Sequence, residues 1–139
     1  MKVSIIYWSG TGNTETMANL IKEGAETTGA NVSIKPVSEA NEADITDADF
    51  AFLGCPSMGD ETLEESEFEP FIEKIEKNIK GKKIGLFGSY GWGSGLWMDN
   101  WTERMKNAGA ELINESLIVN ETPSGADIDK CKNFGKSVG

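Results

Sequence analysis

The sequence predicts an α/β fold: a doubly wound, three-layer arrangement around a five-stranded parallel sheet in the order 2-1-3-4-5. Three observations predict it. Strand and helix patterns alternate along all 139 residues, which in one small domain implies parallel strands joined by right-handed crossovers with helices on both faces. Pro36 stands in the second strand, and a residue without an N–H belongs at a sheet edge. Strands one, three and four each run into a loop rich in Gly, Ser or Met, and the predicted order makes these three strands neighbours. Their loops then converge on one crevice at the carboxyl end of the sheet, where such folds bind ligands.

The elements follow in turn. Residues 2–8 form a β-branched and aromatic run that ends at Ser9-Gly10-Thr11-Gly12-Asn13-Thr14, after which Met17, Ala18, Ile21 and Ala25 recur at helical spacing up to Gly29. Val32, Ile34 and Pro36-Val37 make the short edge strand, and residues 38–48 read as irregular or as one loose helical turn. The unbroken apolar run 50–55 is the pattern of a strand buried on both faces. A helix follows in which Phe68, Phe71, Ile72, Ile75 and Ile79 line one side, Pro70 fits the first turn and Gly81 closes the end. Residues 84–88 are the fourth strand, followed by Ser89-Tyr90-Gly91-Trp92-Gly93-Ser94-Gly95 and a helix striped by Trp97, Met98, Trp101 and Met105. The fifth strand spans 112–119 with a polar interruption at 114–116, and Ile128, Cys131, Phe134 and Val138 stripe the last helix.

Composition narrows the function. A single domain, 1–139, is expected from the length. Twenty-three Asp and Glu against 13 Lys and Arg give a formal net charge of −10, so nucleic acid and anionic membrane are poor partners. The chain has no His, which removes the usual general base and the usual zinc ligand. Cys55 and Cys131 are far apart and fit two reduced thiols. With no signal-peptide pattern at the start, a cytoplasmic location is expected.

Residues 9–14 offer three hydroxyls, two glycines and a run of N–H groups at a helix N-terminus, a neutral nest for a phosphate. No Gly-Lys-Ser/Thr follows, and Glu15 occupies the place of the third small residue of the dinucleotide fingerprint. In Met58-Gly59-Asp60-Glu61 the glycine suits the positive φ of a type II′ turn, whose peptide rotates at modest cost. Trp92, between two glycines, reads as a stacking surface for a planar ligand, and Met58 can face the same ligand with its polarizable sulfur. Seven carboxylates lie between Asp60 and Glu73 with no basic residue until Lys74, so the crevice rim is acidic while Lys74, Lys77, Lys80, Lys82 and Lys83 gather at the opposite pole. That rim, with Glu64, Glu65 and Glu67, is a candidate docking face for a basic partner.

The segments YWSGTGNT (7–14), GCPSMGDE (54–61), LEESEFEPF (63–71), GKKIGLFGSYGWGSGLWM (81–98) and LIVNETP (117–123) together resemble a short-chain flavodoxin across essentially the whole chain. The resemblance implies a flavodoxin-like fold and a monomeric, low-potential one-electron carrier with noncovalent FMN, working mainly between semiquinone and hydroquinone without substrate turnover. It implies redox protein partners, a reductase and an acceptor, with basic docking faces. Carried over by position, Ser9, Thr11, Gly12, Asn13 and Thr14 cradle the FMN phosphate. Met58 and Trp92 flank the isoalloxazine, the Gly59 carbonyl meets N5–H of the reduced ring, and Glu61 accepts from N3–H. Ser57 and Asp60 belong to the same loop, Ser89, Tyr90 and Gly91 line the ring and ribityl side, and Asn120 approaches the ribityl. Some members carry Ser directly after the strand-three cysteine; here Pro56 stands there and the hydroxyl moves to Ser57.

Other readings of the same topology lack their residues. An FMN-dependent NAD(P)H or quinone reductase needs a second pocket, and no basic residue near the crevice is available for a nicotinamide phosphate. A phosphoacceptor receiver needs an Asp ending strand three, where Gly54-Cys55 stands, and a low-molecular-weight tyrosine phosphatase needs an Arg closing the loop after Cys55.

Overall fold

The computed structural model describes all residues, Met1–Gly139. In chain order the elements are β1 (Lys2–Tyr7), α1 (Asn13–Glu26), β2 (Asn31–Pro36), α2 (Glu42–Thr46), β3 (Phe50–Gly54), α3 (Phe68–Ile75), β4 (Lys83–Tyr90), α4 (Leu96–Asn107), β5 (Glu111–Leu112), β6 (Leu117–Asn120) and α5 (Ala126–Lys136). The sheet runs β2-β1-β3-β4, and β5 and β6 lie one after the other along the far side of β4. Every pairing is parallel. Pro36 sits opposite Tyr7 at the end of the edge strand β2, where its missing N–H leaves no gap in a central ladder.

The period-two alternation of the strands divides the core. Val3, Ile5 and Tyr7 of β1, with Phe50 and Phe52 of β3 and Phe87 of β4, face α1 and α5. Ile6, Ala51, Leu53, Ile84 and Leu86 face the other way, onto Ile45 of α2, Phe68, Phe71, Ile72 and Ile75 of α3, and Trp97, Met98, Trp101 and Met105 of α4. β3 is buried on both faces along its whole length. On the first face α1 and α5 meet backbone to backbone: a Cβ on Gly24 would lie 1.9 Å from the Lys132 carbonyl oxygen, and one on Gly135 would lie 2.0 Å from that of Ile21. On the second face Arg104 of α4 reaches α3 with its whole guanidinium, giving Glu69 two hydrogen bonds of 2.8 and 2.7 Å and Glu76 two of 2.8 and 3.2 Å. The bidentate fork fixes the separation of the two helices.

Four expectations change. The fifth strand is two strands, β5 and β6, because polar Asn114, Glu115 and Ser116 leave the ladder between Leu112 and Leu117. Residues 38–48 are better ordered than expected: a short 3-10 turn over Val37–Glu39 precedes α2, and α2 carries a capping box in which Asn41 and Asp44 exchange side-chain and backbone hydrogen bonds. α3 stops at Ile75 instead of running to Gly81; Ile79 is still buried, and Gly81, with φ +78°, turns the chain into β4. Ile128, expected in the stripe of α5, is 36% exposed, while Cys131 and Phe134 face the core.

Candidate functional site

The order β2-β1-β3-β4 reverses direction between β1 and β3, and the loops after β1, β3 and β4 meet there. They enclose a cavity of about 420 Å³ lined by Trp8, Gly10, Thr11, Asn13, Pro56, Ser57, Met58, Ser89, Tyr90, Gly91, Glu121 and Thr122. That volume lies within the roughly 300–1,000 Å³ of small-molecule sites.

The first loop is held by its own atoms. Ser9 Oγ accepts from the N–H groups of Gly12 (3.1 Å) and Glu15 (3.3 Å), and Gly12 takes φ +100° as the N-cap of α1. Gly12 has no side chain to cap the helix, and no acceptor in the chain takes the N–H groups of Asn13 and Thr14. A helix N-terminus with free donors and no cation is the arrangement that receives an anion through dipoles alone. Thr14 itself is buried, its Oγ1 3.1 Å from Ser89 Oγ, which ties this loop to the end of β4. Tyr7 donates its hydroxyl to Glu15 at 2.8 Å, and burial together with that carboxylate pushes the phenol up to about 12, so it stays neutral.

The second loop leaves β3 at Cys55, whose thiol is pushed up to about 12 by burial and so remains a thiol. Met58 and Thr62 exchange backbone hydrogen bonds of 2.9 Å in both directions, closing a three-residue hairpin of Gly59, Asp60 and Glu61. The positive φ expected at Gly59 is present at +48°, but the closing bond spans one residue more than a type II′ turn, and Glu61 takes the second left-handed position at φ +56°. Glu61 points across the crevice mouth: its Oε1 accepts from the N–H groups of Gly95 (3.2 Å) and Leu96 (3.0 Å) at the start of α4. The carboxylate therefore complements a helix N-terminus, a contact that the sequence reading did not anticipate.

The third loop carries Trp92, 64% exposed, beyond Tyr90 and Gly91. Asn120 at the end of β6 donates Nδ2 to the Tyr90 carbonyl at 3.3 Å, and its neighbours Glu121 and Thr122, not Asn120, line the cavity. Thr122 donates to Asn13 Oδ1 at 2.7 Å, joining the segment after β6 to the start of α1. Of the sequence-predicted residues, the structure brings Thr11, Asn13, Ser57, Met58, Ser89, Tyr90 and Gly91 onto the cavity wall. Ser9 and Gly12 line a second depression on the outer side of the same loop, and Gly59, Asp60, Glu61 and Trp92 stand outside the wall. Trp8, Glu121 and Thr122 were not anticipated; Trp8 directly precedes Ser9, and Thr122 lies two residues past Asn120 at the carboxyl edge of the sheet, so their neighbours were the available signal.

The acidic rim is smaller than its sequence. Glu64 is 7% exposed and accepts from the N–H groups of Ser66 (2.7 Å), Glu67 (2.8 Å) and Phe68 (2.9 Å) at the start of α3. Burial acts to raise its pKa, but those three donors outweigh it and hold the carboxyl below its ordinary value. Glu64 thus leaves the candidate docking face, and Glu69 is occupied by Arg104. Asp60, Glu65 and Glu67 remain exposed, Glu67 accepting from Trp8 Nε1 at 3.3 Å.

A doubly wound sheet with a donor-rich, cation-free loop at its switch point defines a mononucleotide-binding α/β protein. The flavodoxin family model matches residues 5–135. The chain is 51% identical to a flavodoxin of Clostridium beijerinckii over 136 residues, covering 98% of each chain. It is 49% identical to the flavodoxin of Megasphaera elsdenii, covering 98% of this chain and 97% of that one. The solution structure of two-electron reduced Megasphaera elsdenii flavodoxin superposes with a TM-score of 0.89 at 47% identity, over 97% of this chain and 96% of that chain. The chain belongs to the flavodoxin family: it is an FMN-binding electron carrier that works with redox partners and turns over no substrate of its own. The free N–H groups at the start of α1 and the hydroxyls around them fit a terminal phosphate, and the weakly polar wall of Met58, Tyr90 and Gly91 fits a planar ring.

Proposed function

We propose that the 420 Å³ crevice holds FMN with its phosphate against Ser9, Thr11, Gly12, Asn13 and Thr14 and its ring among Ser57, Met58, Gly59, Asp60, Glu61, Ser89, Tyr90, Gly91 and Trp92, with Asn120 toward the ribityl chain. FMN supplies the one-electron chemistry; the chain binds it, orients it and offers hydrogen-bond partners. The observation that carries this reading is the convergence of three loops, from β1, β3 and β4, on one cavity whose phosphate end bears free N–H donors. Met58 lies on the inner wall, and exposed Trp92 is free to close over the outer face of the ring. The Gly59 carbonyl is the acceptor for the proton on N5 of the reduced ring. Glu61 Oε1 is already engaged by α4, which leaves Oε2 to accept from N3–H.

Exposed Asp60, Glu65 and Glu67 support a docking face for partners with basic surfaces and a low reduction potential. In this reading residues 1–139 work as one monomeric domain in the cytoplasm. No helix is long and apolar enough to cross a membrane. Titrating the flavin-free protein with FMN, riboflavin and FAD in phosphate-free buffer tests the site. FMN should bind at least tenfold more tightly than riboflavin; equal affinities would remove the phosphate assignment.

A further inference from the structure

The β3–β4 ladder breaks at one place, and two side chains repair it. Cys55 N–H donates to the Phe87 carbonyl at 3.1 Å and Ser57 N–H to that of Ser89 at 3.1 Å, a parallel pattern that Ser89 N–H to the Cys55 carbonyl would complete. That bond is not made. Ser89 N–H donates instead to Thr14 Oγ1 at 3.4 Å, and the Cys55 carbonyl accepts from Trp97 Nε1 at 3.1 Å in the buried interior. Gly88 makes room for the displaced carbonyl, since a Cβ there would lie 2.1 Å from the Cys55 oxygen. The indole of Trp97 is 2% exposed and packs on Tyr90 with ring centroids 5.9 Å apart.

We infer that Trp97 is a positioning residue for the flavin loop: its indole N–H holds the Cys55 carbonyl out of the β3–β4 ladder and so sets the root from which Pro56, Ser57, Met58 and Gly59 depart. The inference rests on the FMN reading of that loop. Pro56 has no N–H, so the loop gains no backbone bond at its second residue and its direction depends on the Cys55 peptide. Without the indole donor the buried carbonyl must regain a partner, and the donor that a regular parallel ladder offers it is Ser89 N–H. Retaking it closes the fork between the strands and draws Ser89 away from Thr14.

α4 supplies its own control. Trp101 lies one turn further along, is equally buried and in the same apolar cluster, but its Nε1 has no hydrogen-bond partner. Trp97→Phe and Trp101→Phe therefore remove the same group from the same core, and only the first removes a hydrogen bond. In the FMN-loaded proteins, Trp97→Phe should weaken FMN binding on the order of tenfold, the value of one buried hydrogen bond, and displace both midpoint potentials. Trp101→Phe should leave affinity and potentials at native values. Should Trp97→Phe fail to fold, benzothienylalanine at position 97 keeps the bicyclic shape and replaces the N–H by sulfur, with the same expected result. FMN binding and potentials unchanged from native in a folded Trp97 variant, or changed equally by Trp101→Phe, would overturn the positioning role. Failure of the native protein to take up FMN would instead overturn the reading of the site.

Discussion

A single carboxylate can be worth more to a helix than to a surface, and Glu64 shows how. Its two oxygens take the N–H groups of Glu67 and Phe68 at the start of α3 and that of Ser66 just before it, so replacing it removes a cap. Glu64→Gln should lower unfolding free energy by about 1–2 kcal/mol at neutral pH, measured by urea denaturation. The sign of the pH dependence follows from the depressed pKa. The contribution is complete above the unfolded carboxyl value near about 4.3 and is lost as pH falls through the lower folded value, so the gap between native and variant should close in acid. A gap that widened on acidification would contradict the capping role. Gly59 makes a second residue-scale case. At φ +48° it occupies backbone space that β-branched residues avoid, so Gly59→Thr should strain the hairpin whose carbonyl we propose as the partner of the flavin. The separation between the two midpoint potentials should narrow in a spectroelectrochemical titration, while the phosphate end of the site is untouched. Little of this was legible beforehand. The positive φ at Gly59 was readable from residue type, but the roles of Glu61 and Glu64 were not, because seven acids within fourteen residues look alike until the fold decides which of them face helix N-termini.

At the scale of elements, legibility follows pattern length. β3 was readable because Phe50 to Cys55 is apolar without interruption, and the glycine turn between β1 and α1 because it joins a strand to a helix with two glycines and three hydroxyls. α2 was readable only as one of two alternatives, an irregular stretch or one helical turn, since five residues give too little periodicity; its signal lay in the cap, Asn41 followed three residues later by Asp44. The last strand misled because the apolar residues on either side of its break belong to two strands with one shared neighbour, and only the register on β4 separates them. The contact of α1 with α5 was also hidden, as Gly24 and Gly135 are interior helical glycines whose purpose appears only when the helices are paired. It yields a prediction. Gly135→Ala puts a methyl against the Ile21 carbonyl, which is backbone and cannot swing aside, so the variant should lose about 1–3 kcal/mol despite the better helix propensity of alanine. Thermal unfolding checks it, and a more stable variant would show that the helices separate freely.

At the scale of the whole molecule the two ends of the sheet carry charge differently, the lysines at one end standing beside Asp49 and Glu111. Asp60, Glu65 and Glu67 stand near the carboxyl end of the sheet with the crevice, while Lys82 and Lys83 enter β4 at the opposite end and Lys82 Nζ caps the carbonyls of Thr46 and Ala48. Attraction between exposed charges fades beyond a Debye length of about 8 Å at physiological salt. Electron transfer to a basic partner, followed by stopped flow, should therefore slow as salt rises, and the combined variant Asp60→Asn, Glu65→Gln, Glu67→Gln should flatten that dependence. An unchanged salt slope would place docking elsewhere. The crevice also lies between loops that all leave the same end of the sheet. On the proposed docking face a carrier with one doorway would admit one visitor: while the protein that loads it is seated, the protein that unloads it would wait outside. Throughput is then governed by how quickly each visitor leaves, and surplus loader slows unloading by blocking the queue.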